Sequence, residues 1–518
     1  MTPADTMPRL PWRSPQPDAP AARKRVRALR AACYVILAVA LIVPVIQFEA
    51  GLAEQLGEAR AFDAHKAAGK VPPGAERPPA HNGAIERWRS AFENYWAGDN
   101  IYTTPPPDGR AAARERGYTG TDLHPNMPFI VILLSAFTAL PPMAGTIVFN
   151  VLKIVVILAS IWMAVEVANH NGRRMGDWVA ALGVAWALRF IIGDVQHANT
   201  NVLVMGAVVW HLWLYRRGHD LLAGLPLAAG ICLKLTPALF VPYWLYQRNW
   251  KLAGATAVGL VLLMVVVPTV ATGPSRFVRD TGTWVNNLII PGLVRNSWFP
   301  THVNQSVPGV AARYFLEGRD GNMNWDPDVD PNYIKTDHEW ITVVALPEQT
   351  VQLIVRAVQV AIVALMAWSI GLPRRDRLLP RDDGRRALHY GLIVLAMMLL
   401  NQRTWDHHAT VLLIAGVALW HAIAYGRMGR AARATALTLT LLAGIALWTT
   451  GNDLFVTLAE WTGHGEDAGE HWADVYTAYG NTFYVFVLLF AATVICAVAI
   501  RRRDDPFAAT RQPLTAQR

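Results

Sequence analysis

The chain has 518 residues, of which 53% are hydrophobic and only 16% charged, against about 25% charged residues in an average soluble domain. Such a composition makes lipid the solvent for much of the chain. The net charge of +9 does not point to nucleic acid, because the Lys and Arg residues sit in short stretches between hydrophobic runs and no basic, aromatic-interleaved soluble region exists. Cys33, Cys232 and Cys496 all lie inside hydrophobic runs, with neither a disulfide framework nor metal-ligand spacing.

In chain order, runs long enough for a spanning helix of about 20 residues occur at 31–50, 146–168, 177–193, 201–215, 252–272, 350–371, 388–402, 409–425, 431–450 and 480–500. Two others are irregular. The segment 127–143 opens on Pro125 and Pro128 and closes on Pro141-Pro142, and 221–247 is broken by Pro237 and carries Lys234 in its middle. The expected fold is therefore an all-α polytopic membrane protein of roughly ten to twelve transmembrane helices. Residues 1–30 form a cytoplasmic tail, 31–500 a single membrane domain with outer loops at about 51–126 and 273–349, and 501–518 a second cytoplasmic tail. The first run reads as a retained helix, since no small-x-small cleavage site follows Phe48. Residues 1–22 and 504–518 read as disordered, and 64–80 as flexible.

The basic stretches Arg23–Arg30, Arg374–Arg386, Arg427–Arg433 and Arg501–Arg503 belong inside by the positive-inside rule. If every run crossed once, the Arg173-Arg174 and Arg216-Arg217 turns would fall outside. If 127–143 is re-entrant and 221–247 doubles back at Pro237, both turns move inside and Asp194–Asn201 moves to the outer face. The second version is preferred, because irregular backbone at membrane depth is acceptable where it lines a cavity. No internal repeat is evident, which removes the support an inverted-repeat transporter would need.

Polar clusters at membrane depth are costly and default to function. The first outer loop holds Glu86, Arg89 and Glu93, then Gly98-Asp99-Asn100-Ile101-Tyr102 and His124-Pro125-Asn126-Met127-Pro128. A carboxylate here could take a proton from a sugar hydroxyl, although the spacing also suits ion pairs on a surface helix. The turn Asp194-Val195-Gln196-His197-Ala198-Asn199-Thr200-Asn201 is more polar than a helix connection requires, even allowing for an N-cap at Asn199 or Thr200. Lys234 lies too far from either end of its run to snorkel, so it calls for a phosphate or an internal carboxylate. Asn304-Gln305-Ser306 with Arg313, and Asn401-Gln402-Arg403-Thr404-Trp405-Asp406-His407-His408, complete the set. His407, His408 and Asp406 lack a third zinc ligand at typical spacing, so no metal is expected. Arg403 suits bidentate anion binding. Trp88, Trp96, Trp284, Trp298, Trp325 and Trp340 suit either sugar stacking or an interfacial belt.

From about residue 82 to 410 these clusters, in this order, resemble glycosyltransferase family 87. The features are Gly98-x-x-Ile101-Tyr102 before Pro125-x-x-Pro128, Gln196-x-x-Asn199, Lys234-x-x-Pro237, Asn304-Gln305-Ser306 with Arg313, and Trp405-x-His407-His408. The resemblance implies a GT-C-like bundle that moves a hexose, with mannose suggested, from a polyprenyl-phosphate sugar to a glycan or glycolipid acceptor. Transfer would be an inverting displacement at the periplasmic side of the inner (plasma) membrane, with no cofactor. Glu86, Glu93 and Asp194 are the candidate bases; Lys234, Arg403, His407 and Arg313 would bind the donor phosphate. Tyr102, Gln196, His197, Asn199, Asn304, Gln305, Trp405, Asp406 and His408 would contact substrate. One departure stands out: the family pattern places an Asp about eighteen residues before the Ile-Tyr pair, where this chain has Ala84 and Ile85, with Glu86 nearest. A flippase for lipid-linked sugars, or a ligase joining whole glycans, are the competing readings.

Overall fold

The computed structural model describes residues 20–72, 75, 78, 83–103, 124, 126–290, 298–316, 342–371 and 378–507. Pro125, Trp325, Trp340 and Arg374 lie outside them, as do most of both terminal tails. Among the described residues the regular structure is helical. Eight helices are long and apolar enough to cross a membrane: Arg30–Ala67, Pro142–Ala168, Asp177–Gln196, Trp250–Thr272, Glu348–Ile370, Asp406–Tyr425, Arg430–Trp448 and Glu466–Ile500. Their outward faces carry bare aliphatic side chains such as Ile36, Val258, Val270, Val360 and Ile445, which only a hydrocarbon surrounding tolerates in such number.

The remaining expected spans fold into shorter helices, and the reason is burial. Arg385–Leu400 is buried from Arg386 to Leu399, so it is packed by protein on all sides and need not match the bilayer thickness. Asn201–Arg216 is similarly enclosed. The segment 221–247 breaks into Asp220–Leu233, a short 3-10 turn at Thr236–Leu239, and Phe240–Tyr246, because Pro237 can neither donate a helical hydrogen bond nor fit behind one. The first helix does not stop at residue 50: it runs from Pro20 to Ala67. Its second half is rich in Ala, Glu, Gln and Leu, strong helix formers that a hydropathy window does not register.

Arginine-rich turns gather at one end of the bundle. Arg30 pairs with Asp177 at 2.7 Å, Arg217 with Glu166 at 2.6 Å, Arg385 with Asp383 at 2.6 Å, and Arg427 with Asp505 at 3.1 Å. Arg173 reaches the same Asp505, and Arg381 pairs with Asp220. Tyr246 donates to the Gly371 carbonyl at 3.0 Å, so the chain that left this end at Asp220 has come back to it. The doubled-back segment 221–247 therefore has both ends on the arginine-rich side. Helix Pro128–Thr138, at 11 residues, is too short to cross. Trp96 donates to Ser135 Oγ from one side, and Arg89 to the carbonyls of Thr138 and Leu140 at its end, so both of its ends stay with the first polar loop. Asp194–Asn201 then falls at the opposite end from the arginines.

Residues 504–507 are not loose, contrary to the expectation for the tail. Phe507 is buried against the rings of His170 and His421, and Arg427 N–H donates to the Pro506 carbonyl at 2.8 Å. One aromatic side chain with a prepared slot outweighs a disorder-promoting composition.

Candidate active site

The turn between Asp177–Gln196 and Asn201–Arg216 contains the central feature. Asp194 is fully buried, and its Oδ1 faces Lys153 Nζ at 2.7 Å, with both side chains inaccessible. Its Oδ2 accepts from the Asn201 backbone N–H and side-chain amide, each at 3.0 Å. Lys153 Nζ also donates to the Asp194 carbonyl at 2.7 Å. On the far side Asn201 Oδ1 accepts from Lys234 Nζ at 3.1 Å. The result is a chain Lys153–Asp194–Asn201–Lys234 with two ammonium groups and one carboxylate, already committed to the first. Among the described residues Lys234 has no carboxylate at ion-pair distance.

Lys234 sits where helix Asp220–Leu233 ends, in an extended backbone conformation; a helix continued past it would set the Pro237 ring against the Leu233 carbonyl. Fourteen residues of helix rise about 21 Å, short of the ~30 Å hydrocarbon thickness. Lys234 is therefore held below the membrane surface opposite the arginine-rich turns, and the helix C-terminus behind it favours a cation there.

The turn 401–408 covers this point. His407 lies within electrostatic reach of Lys234, His197, Lys153 and Arg87, and His408 within reach of Lys234 and Arg403. The His407 and His197 rings are 5.8 Å apart, and His407 Nε2 is buried with no hydrogen-bond partner among the described residues. Arg403 lies over the Phe299 ring at 3.5 Å, and Trp405 stacks on His408 with ring centroids 5.9 Å apart. Asp406 stands apart from this group, beside Thr482 and Arg189. Among the described residues no group of three or more His, Cys, Asp or Glu side chains could hold a metal.

Asn304, Gln305 and Arg313 act behind the site. Asn304 Nδ2 donates to the carbonyls of Phe299 at 2.7 Å and Gln402 at 2.9 Å, while its Oδ1 accepts from Thr404 N–H at 2.9 Å and from Ser306. Gln305 donates to the His302 and Thr477 carbonyls and accepts from Phe483 N–H. Arg313 donates to the carbonyls of Ala478, Thr301 and Asn304 at 2.7–2.9 Å. Burial pulls its guanidinium down to about 9, so it stays charged at neutral pH. Asn304 clamps the 298–306 segment to the 401–408 turn, while Gln305 and Arg313 tie that segment to residues 477–483. Asn304→Ala is expected to lower stability by about 2–3 kcal/mol through the carbonyls and N–H groups it strands, seen as an earlier thermal melt together with reduced activity.

The first polar loop docks on the Asp194 turn. Ala84 N–H donates to the His197 carbonyl at 2.9 Å. Gly83 has φ +69°, and a Cβ there would stand 2.6 Å from both the His197 oxygen and the Phe48 ring. Gly83→Ala combines a left-handed backbone with that collision and is expected to cost about 1–3 kcal/mol; a thermal melt of the purified variant tests it. Glu86 is buried with both oxygens held by Arg89, at 2.8 and 2.7 Å. Glu93 is exposed. Tyr102 is fully buried beside His124, with its carbonyl accepting from Asn287 at 2.9 Å. Gln196 and His197 are exposed at the turn; His197 Nδ1 lies 2.6 Å from the Gly193 carbonyl, and Asn199 Oδ1 caps Thr200 N–H at 2.7 Å.

Lys153, Asn150, Thr146 and Glu49 were not singled out from sequence. The first three line the buried face of Pro142–Ala168. Lys153 sits deep inside the apolar run 146–168, so the criterion that marks Lys234 marks it too. Glu49 lies at the edge of the first run, where a carboxylate looks like an interfacial residue.

A buried network of two ammonium groups and one carboxylate, held at membrane depth at the end of the bundle away from the arginine-rich turns, marks a membrane-embedded polar site. The model of glycosyltransferase family 87 matches residues 126–399, just over half of the chain, and the protein belongs to that family. The match includes Lys153, Asp194, Lys234 and Asn304, while Glu86, Tyr102 and Trp405–His408 lie beyond it. A curated relative is similar over 155 residues at 30% identity: the polyprenol-phosphate-mannose-dependent alpha-(1-2)-phosphatidylinositol mannoside mannosyltransferase of Mycobacterium tuberculosis. The alignment takes in 26% of this chain and spans 36% of that relative's length. Among solved structures, ArnT from Cupriavidus metallidurans bound to undecaprenyl phosphate matches at a TM-score of 0.33 and 12% identity, covering 81% of this chain and 74% of that one.

Proposed function

We propose that this protein transfers a hexose, mannose in the first instance, from a polyprenyl-phosphate sugar to a glycan or glycolipid acceptor. Transfer occurs by inverting displacement at the periplasmic face of the inner membrane. The observation that carries this reading is Lys234: an ammonium held at membrane depth, with an amide as its partner and no carboxylate, is a site prepared for a phosphate. His407 and Arg403 lie around it and complete the cation set for the departing phosphate. A lipid phosphate is already a good leaving group, so the main demand on the protein is to stabilise the charge that develops on it. Arg313 supports this set from behind with Asn304 and Gln305. The exposed Gln196 and His197, with Asn199, Trp405 and His408, face the sugar, where aromatic and amide groups suit stacking and hydroxyl recognition. A carboxylate takes the acceptor proton on the face opposite the phosphate; Glu86, Glu93 and Asp194 are the sequence's own candidates. The named activity of the mycobacterial relative supports the choice of mannose and a lipid acceptor.

The test is sugar transfer in proteoliposomes from radiolabelled polyprenyl-phosphate mannose to a total lipid and glycan extract. Transfer by the wild type, lost in Arg403→Ala, supports the reading. Labelled donor that crosses the bilayer without any transfer would hand the protein to the flippase class instead.

A further inference from the structure

Two carboxylates near the site are already committed: Asp194 is paired with Lys153 and Glu86 with Arg89. Glu49, on the first helix, is different. It is 8% exposed, and its Oε2 accepts from the Thr146 hydroxyl at 2.8 Å. Its Oε1 is buried with no hydrogen-bond partner, and no cation lies at ion-pair distance among the described residues. Glu86, of like sign, lies within its electrostatic reach.

Its surroundings point the same way. Asn150 lies beside Glu49, and both ends of its buried amide lack a well-formed hydrogen bond among the described residues. Thr146, Asn150 and Lys153 are spaced four and three residues apart and share one buried helix face. That face leads directly from Glu49 to the Lys153–Asp194–Asn201–Lys234 chain. The adjacent Phe48 ring closes on the Gly83–His197 contact, which places Glu49 under the loop that covers the turn. A buried carboxylate without a cation is costly, and such groups cluster where chemistry uses them. One anchored oxygen, one open oxygen and an open amide next to it form a receptor for a polyol: one hydroxyl to the carboxylate and its neighbour to the amide.

We propose that Glu49 is the general base of the transfer and that Asn150 holds an adjacent hydroxyl of the acceptor; this rests on the reading of the preceding subsection. The acceptor O–H gives its proton to Glu49 Oε1 as its oxygen forms a bond to the anomeric carbon. The bond from that carbon to the phosphate oxygen breaks with its electron pair, and the lipid phosphate leaves toward Lys234. Glu86, with both oxygens occupied, then serves through Arg89 to hold the Thr138 and Leu140 carbonyls.

The experiment uses the full-length protein in proteoliposomes with polyprenyl-phosphate mannose and the lipid and glycan extract. Glu49→Gln keeps the size of the side chain and its bond to Thr146. It is expected to lower kcat by about 10²–10⁴-fold, with binding of labelled donor unchanged and the low-pH fall in kcat, where the base becomes protonated, no longer seen. Glu49→Asp should retain part of the rate and keep that low-pH fall. A Glu49→Gln enzyme within about threefold of the wild type overturns the proposal. So does a joint loss of donor binding and thermal stability in both Glu49 variants, which would make the residue structural. Wild type that transfers from no polyprenyl-phosphate sugar overturns the underlying reading and this assignment with it. Normal wild-type transfer that Glu49→Gln leaves undiminished overturns this assignment alone.

Discussion

Lys234→Met should reduce sugar transfer by about 10²–10³-fold, the range seen when one preorganised donor to a developing oxyanion is removed. The substitution keeps the length and apolar stem, so the packing at the end of helix Asp220–Leu233 survives. What disappears is the cation whose partner is the Asn201 amide at 3.1 Å. Lys153 cannot replace it, because its ammonium is locked on both the carboxylate and the carbonyl of Asp194 at 2.7 Å. Lys234→Arg should recover little, since a planar guanidinium needs more room than a compact ammonium in a buried notch. Transfer rates measured beside donor binding check this: both should fall, whereas an unchanged rate would remove Lys234 from the phosphate site. Melting temperature should barely move, because the wild-type ammonium is satisfied only in part before substrate arrives.

Lys153→Met should behave in the opposite way, as a stability defect first. Removing one member of a fully buried ion pair leaves the other uncompensated, at a cost of about 3–5 kcal/mol. Asp194 would then be a bare carboxylate held only by the Asn201 groups, and it would draw Lys234 toward itself and away from any phosphate. The double variant Lys153→Met with Asp194→Leu removes both charges, and most of the lost stability should return. Activity should not return, because Asn201 loses the acceptor that orients its amide, and Lys234 loses its positioning with it. Thermal melts of the two single variants and the double, read with transfer assays, separate these effects. If the double variant regains both stability and transfer, the pair is mere packing.

The sequence was legible where one rule of physics acts on nearby residues. Apolar runs announce helices, because in lipid every backbone polar group must be satisfied within its own segment. Arginine clusters marked one end, and the ion pairs from Arg30 to Asp177 and from Arg217 to Glu166 draw those turns together. Lys234 stood out for the same reason, since an ammonium deep in an apolar run needs a partner. Roles that depend on distant neighbours were not legible. Glu86 and Arg89 read equally as a base and as a surface pair, and the structure brings their side chains into bidentate contact. Asn304 and Arg313 had the polarity of ligand contacts, but their donors go to backbone carbonyls of the 298–306 and 401–408 segments and of Ala478.

The amino-acid sequence by itself determined that this is a multi-pass helical membrane protein of glycosyltransferase family 87, and which turns carry its polar clusters. Hydropathy and motif order are properties of contiguous residues, so they survive without coordinates. Only the tertiary structure decided which charges meet. Lys153 pairs with Asp194 across 41 positions, Lys234 reaches Asn201 across 33, and Thr146 reaches Glu49 across 97. Whether a buried carboxylate is neutralised or left open depends on those long-range pairings, which contiguous residues do not announce.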